Sequence, residues 1–191
     1  MEQDLTKGNL WKQILVFSFP LMISNVLQVL FNMADVAVVG RFAGSIALGA
    51  VGSTTTLVTL FTGLLIGMAG GVNVLVARFY GAKKEKDVQE TTHTAVIICL
   101  LTGILIMVLG LLFANGILEL LHTKDELIEG AALYLRIYFL GMPALAIYNF
   151  GNAVFSAVGN TKKPLYYLAT AGVINIISVS YTHLTLPTKR I

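Results

Sequence analysis

Charge is scarce in this 191-residue chain. Only 12% of its residues are Asp, Glu, Lys or Arg, about half the share found in soluble domains, and the mean hydropathy is +0.80. So little charge cannot cover a water-exposed globule, and a soluble fold is excluded. Cysteine is scarcer still, because Cys99 stands alone in an apolar run. That excludes a disulfide framework or a multi-cysteine metal site and leaves Cys99 as a small buried hydrophobe. No G-x-x-x-x-G-K-[ST], H-E-x-x-H or G-x-S-x-G pattern occurs. Nothing therefore cradles nucleotide phosphates, ligates zinc or presents an activated serine through those local signatures. The expectation is a protein that is not an enzyme and has no metal or cofactor.

What the chain has instead is long apolar runs. Five stand out, at 14–39, 53–77, 95–113, 131–157 and 165–177. A helix needs roughly 20 apolar residues to cross a hydrocarbon core; the first four runs are long enough with some tilt, and the fifth is short. The fold class expected is an all-α, polytopic bundle of about five transmembrane helices, with membrane lipid as its surroundings. The first run is too long for a signal-peptide core and no A-x-A site follows it, so it reads as a retained helix.

The net charge of +3 and pI near 9.0 do not point to nucleic acid, because the basic residues lie in loops between apolar runs. Their distribution carries a different signal. Lys7, Lys12, Arg78, Lys83, Lys84, Lys86, Lys162 and Lys163 fall on one side of the alternating topology, and only Arg41 and Lys124 on the other. The positive-inside rule then places the N-terminus and the even-numbered loops in the cytoplasm, with Trp11 as an interfacial anchor. After Ile177 the composition turns to SVSYTHLTLPTKRI. This segment resembles translated sequencing-adapter read-through, so 178–191 is expected to be a non-native tail and the chain a fragment.

Polar residues inside the runs carry whatever chemistry there is. At 100° per residue, Asn25, Gln28, Asn32 and Asp35 fall within about 80° of one another on the first helix, beside Ser18. Asp35 is the only acid in any of the five runs. An acid at mid-membrane costs roughly 2.5–3.5 kcal/mol on insertion scales and normally faces a bundle interior or a wet cavity. The alternative is that Asp35, four residues before Gly40, only reaches the outer interface. On a straight fourth helix Tyr134, Tyr138, Asn149, Asn152 and Ser156 share an arc of about 60°, though Gly141 and Pro143 bend it. These amides either line a cavity or tie helices together. Pro20 removes one hydrogen bond and kinks the first helix. Gly63, Gly67 and Gly71 stand four apart, a spacing that admits a closely packed helix. His93 and His122 lie near loop boundaries as solvated side chains.

Three ordered motifs carry a family resemblance. FPLMISNVLQVLFNMADVAVVGRFAGSIALGAVG, ARFYGAKKEKD and AVGNTKKPLYY resemble the first helix and following loop, the loop after helix 2, and the loop before helix 5 of the multidrug and toxic compound extrusion (MATE) family. The resemblance covers essentially 1–177. It implies a bacterial inner-membrane protein of twelve helices in two six-helix lobes, exporting small cationic amphipathic compounds in exchange for H⁺ or Na⁺. This chain would be about five helices of the N-terminal lobe, inactive without the C-terminal lobe. The resemblance further implies Asp35 as the ion-coupling residue, with Gln28, Tyr134, Asn149, Asn152 and Asn175 lining the cavity. An acid is expected four residues after Asn175, where Val179 stands. Two other readings stay open: a lipid-linked oligosaccharide flippase of the same superfamily, which should line its cavity with Arg and Lys although only Arg136 lies within a run, and a non-transporting accessory protein.

Overall fold

The computed structural model describes residues 10–42 and 44–185. Lys7, Pro187, Lys189 and Arg190 lie outside them, as does the end of the suspected tail. Six helices make up the secondary structure of the described residues: α1 (Leu10–Phe42), α2 (Gly44–Gly81), α3 (Glu85–Leu120), α4 (Asp125–Leu140), α5 (Met142–Ala157) and α6 (Lys162–Thr185). Helices α1, α2, α3 and α6 run past the apolar segments that announced them, because polar and charged residues continue the backbone hydrogen bonding, whereas the run 131–157 is divided between α4 and α5. The chain divides into two units, Met33–Val158 and the described parts of Met1–Asn32 with Gly159–Ile191.

In the larger unit α2 packs on α3, α4 and α5, and α3 packs on α4 and α5. Leu57, Leu65, Ile106, Leu118, Leu135, Phe139 and Met142 form its core. Where α3 approaches the next two helices it carries glycine. A methyl group on Gly103 would stand 2.9 Å from both Ala146 Cβ and Pro143 Cα, and one on Gly110 would enter the Phe139 ring. That ring is buried and meets Phe61 edge-on at 5.2 Å and 81°. Close packing of this kind holds membrane helices together, because lipid supplies little hydrophobic drive between them. The spacing of Gly63, Gly67 and Gly71 pointed to α2 instead. Among the described residues nothing lies within 4 Å of a Cβ at any of the three, so the close approach falls on α3. Spacing locates a smooth helix face but not the neighbour that uses it.

A break at Gly141 separates α4 from α5, and the pair is bent by 48°. Pro143 sits in the first turn of α5, where it has no N–H to return to the Phe139 carbonyl. The Gly141 N–H closes α4 on the Tyr138 carbonyl at 3.0 Å instead. The straight projection over 134–156 is thus replaced by two shorter arcs.

The expectation of five spanning helices needs correction. Among the described residues α1, α2 and α3 are each long and apolar enough to cross a membrane, and the count reaches four if the bent α4–α5 pair is one broken span. Helix α6 continues to Thr185 rather than stopping at 177, yet it is not a fifth. Lys162 and Lys163 open it and Ser178, Ser180, Thr182, His183 and Thr185 fill its last turns, leaving no sufficiently apolar stretch.

In the smaller unit Thr161 Oγ1 donates to the Phe17 carbonyl at 3.2 Å, and Gly172 lies against the Phe31 ring where no side chain would fit. Helix α1 is uninterrupted through Pro20, and Ser24 Oγ donates back to the Pro20 carbonyl at 2.9 Å. His93 stands exposed on α3 itself, one face of the helix beyond the loop, while His122 occupies the α3–α4 turn with φ 54°.

Candidate functional site

The bundle's acid is carried by α1. Because this helix passes through Gly40 and ends at Phe42, Asp35 stands seven residues from its end, about 10 Å along the axis. Asp35 is exposed on the described residues, and it lies within electrostatic range of Tyr134 on α4. Tyr134 is half-buried and stacks on Tyr138, with ring centroids 6.2 Å apart and an interplanar angle of 25°. The Tyr138 hydroxyl in turn shares a hydrogen bond of 3.0 Å with Thr62 Oγ1 on α2. A polar line therefore runs from the stacked tyrosine pair on α4 to α2, in the unit that also holds Asp35.

The amides of α5 continue the polar side of this unit. Asn149 Nδ2 donates to the Leu145 carbonyl one turn back at 2.9 Å, which holds its side chain along the helix. Asn152 Oδ1 is buried and has no hydrogen-bond partner among the described residues. A buried acceptor left in that state costs about 1–3 kcal/mol, and its lone pairs suit a hydrogen-bond donor or a hard cation. Next to it, Asn73 Nδ2 on α2 donates to the Ala153 carbonyl at 2.7 Å. This bond pins α5 against α2 at the residue that follows Asn152.

Four of the residues named from the sequence, Asp35, Tyr134, Asn149 and Asn152, thus belong to the larger unit. Gln28, half-buried on α1, and Asn175, exposed on α6, belong to the smaller one. Val179 lies on α6, and its side chain is outside the described residues. Thr62 and Asn73 were not anticipated. The signal for Asn73 was present, since an amide inside an apolar helix must find a partner, but α2 was read for its glycines. Among the described residues no three His, Cys, Asp or Glu side chains gather as a metal site would require.

Comparison with known proteins agrees with this architecture. The MatE family model matches residues 20–181. The chain belongs to the MatE family. It is 33% identical over 174 residues to "Probable multidrug resistance protein YoeA" of Bacillus subtilis, covering 91% of this chain and 38% of that protein. With "Probable multidrug resistance protein YpnP" of the same organism it is 34% identical over 176 residues, covering 91% and 39%. A crystal structure of a MATE protein in a bent conformation superimposes with a TM-score of 0.82 at 25% identity, over 89% of this chain and 38% of that one. The MatE chain thus spans less than two-fifths of the length of these relatives, and its fold matches one lobe. It is a multi-pass membrane protein of a family of transporters. Large apolar side chains such as Leu60, Leu101 and Leu112 are exposed, as membrane surroundings allow.

Proposed function

We propose that this chain is the N-terminal part of a cation-coupled drug antiporter in which Asp35 is the coupling carboxylate. The observation that carries the reading is Asp35, the only acid in the apolar runs, in the same unit as a stacked tyrosine pair whose Tyr138 is hydrogen-bonded to Thr62 on α2. A single carboxylate within an apolar span can hold one cation at a time. Binding H⁺ or Na⁺ there discharges a small cationic amphipathic substrate, and binding substrate discharges the ion, which is the exchange an antiporter needs. The half-buried tyrosine rings offer apolar faces to the body of such a compound, and Tyr134, Asn149 and Asn152 offer the polar contacts. Gln28 and Asn175 are the other two residues to which this reading gives a polar, ion- or substrate-binding role. The C-terminal lobe supplies the opposite wall, and the chain is inactive alone. The N-terminus lies in the cytoplasm. Ser178–Ile191 is a foreign tail; contiguous genomic sequence beyond the codon for Ile177 should continue with an apolar run and an acid at position 179.

An anionic lipid as cargo is disfavoured by the placement of Arg136, whose hydrogen bond goes to Asn115 on an exposed face of α3. The deciding experiment is Asp35→Asn in the full-length protein, at matched membrane expression. Loss of drug resistance and of the response to imposed H⁺ or Na⁺ gradients is expected. Near-normal efflux with an unchanged gradient response refutes Asp35 as the coupling residue.

A further inference from the structure

The site at Asp35 leaves one strongly charged group without a role. Arg136 lies on α4, inside the apolar run 131–157. Its side chain is exposed, and its Nη2 donates to Asn115 Oδ1 on α3 across 3.4 Å. Neither ion pair found among the described residues involves it. A cation at bilayer depth costs roughly 2.5–3.5 kcal/mol on insertion scales, so such a residue ordinarily has a partner that compensates it.

The surroundings indicate which partner. Leu133 and Leu140 share the helix face of Arg136, and Val108 and Leu112 share that of Asn115. All four are exposed, so the cationic fork is set into a surface suited to acyl chains. Asn115 accepts from the guanidinium through Oδ1, which leaves its Nδ2 and the other guanidinium N–H groups to donate outward. An array of N–H donors bearing one positive charge, above apolar side chains, matches a phosphate ester on a lipid. The long Arg side chain can lift its head toward the headgroup layer while its stem stays in hydrocarbon. Toward the α3–α4 turn stand two exposed carboxylates. Glu119 is one turn beyond Asn115 on the same face of α3, and Glu129 two turns beyond Arg136 on the same face of α4, about 6 and 10 Å nearer the water. They repel a purely anionic headgroup and attract an ammonium.

We infer that the Arg136–Asn115 pair binds the phosphate of a zwitterionic aminophospholipid, with the lipid's ammonium drawn to Glu119 and Glu129. The site does not depend on the antiport reading. Only the naming of its leaflet, the outer one, rests on the topology proposed above.

The test is native mass spectrometry of the full-length protein in detergent, titrated with dioleoylphosphatidylethanolamine and separately with dioleoylphosphatidylglycerol. The wild type should retain phosphatidylethanolamine more tightly. Arg136→Gln should weaken it roughly tenfold, since a charge-assisted contact becomes a neutral one. Arg136→Lys should fall between the two, and Asn115→Leu should weaken binding in the same direction. The double change Glu119→Gln with Glu129→Gln should erase the preference over phosphatidylglycerol while both lipids still bind. Circular dichroism and gel filtration check the fold, and if Arg136→Gln does not fold, Arg136→Lys and Asn115→Leu decide. Phosphatidylethanolamine affinity equal to wild type in folded Arg136 and Asn115 variants overturns the site and returns Arg136 to a protein carboxylate elsewhere in the full chain. A preference that survives the double Glu change overturns the ammonium assignment.

Discussion

Replacing Gly110 with alanine should destabilise the bundle, although in most helix interiors the same exchange stabilises. Alanine is favoured over glycine by about 0.8–1.0 kcal/mol in a helix. At position 110 the added methyl would enter the Phe139 ring at Cγ, Cδ1 and Cδ2, the end of the ring nearest the backbone. A rotation that moves the far edge of the ring does not clear those atoms. Phe139 is 1% exposed and braced edge-on by Phe61 at 5.2 Å, so relief requires α3 and α4 to separate. Overpacking of a tight core costs about 1–3 kcal/mol; an overlap this deep belongs at the upper end, leaving a net loss of about 2 kcal/mol after the helix term. In a chain of 150–250 residues that would lower the thermal midpoint by roughly 4–8 °C, and in the longer full-length protein by less. The assay is thermal unfolding of the purified full-length protein in detergent, followed by circular dichroism. Gly116→Ala is the control on the same helix, because nothing among the described residues lies within 4 Å of its added Cβ, and its midpoint should hold or rise. Phe139→Leu in the Gly110→Ala background should recover part of the loss. Equal midpoints for Gly110→Ala and wild type, or the same drop in Gly116→Ala, would refute the packing argument.

Two further outcomes follow from the α2 contacts and the loop charges. Asn73→Leu removes the 2.7 Å bond to the Ala153 carbonyl and should cost about 0.6–1.7 kcal/mol, the measured range for interhelical hydrogen bonds in membranes; drug efflux should fall further than the thermal midpoint alone explains, because Asn152 is the adjoining residue. Cysteines at Lys84 and Lys124, both at exposed helix N-termini, in a Cys99→Ala background should react from opposite sides, with only Lys124 accessible to an impermeant reagent in intact cells.

Much of the site was legible because a membrane span makes polar residues conspicuous. Asp35, Tyr134, Asn149 and Asn152 stood out as the few groups that lipid cannot solvate, and the structure keeps all four in one unit. Thr62 escaped notice because a threonine hydroxyl in a membrane helix usually bonds to its own backbone, as Thr54 does with the Val51 carbonyl at 2.7 Å. Only the approach of Tyr138 distinguishes Thr62.

The amino-acid sequence by itself determined that this is a membrane bundle, roughly where its long helices lie, and which residues lipid would reject, since those follow from hydropathy and run length. The tertiary structure decided which glycines are used. Gly63, Gly67 and Gly71 have the better spacing, yet Gly103 and Gly110 receive α5 and α4. It also decided that α4 and α5 are bent from one another by 48° and that Asn73 is spent on the Ala153 carbonyl. These outcomes depend on which helix faces meet, and a face finds its partner through the shapes of two surfaces at once, which a periodicity read from one helix cannot contain.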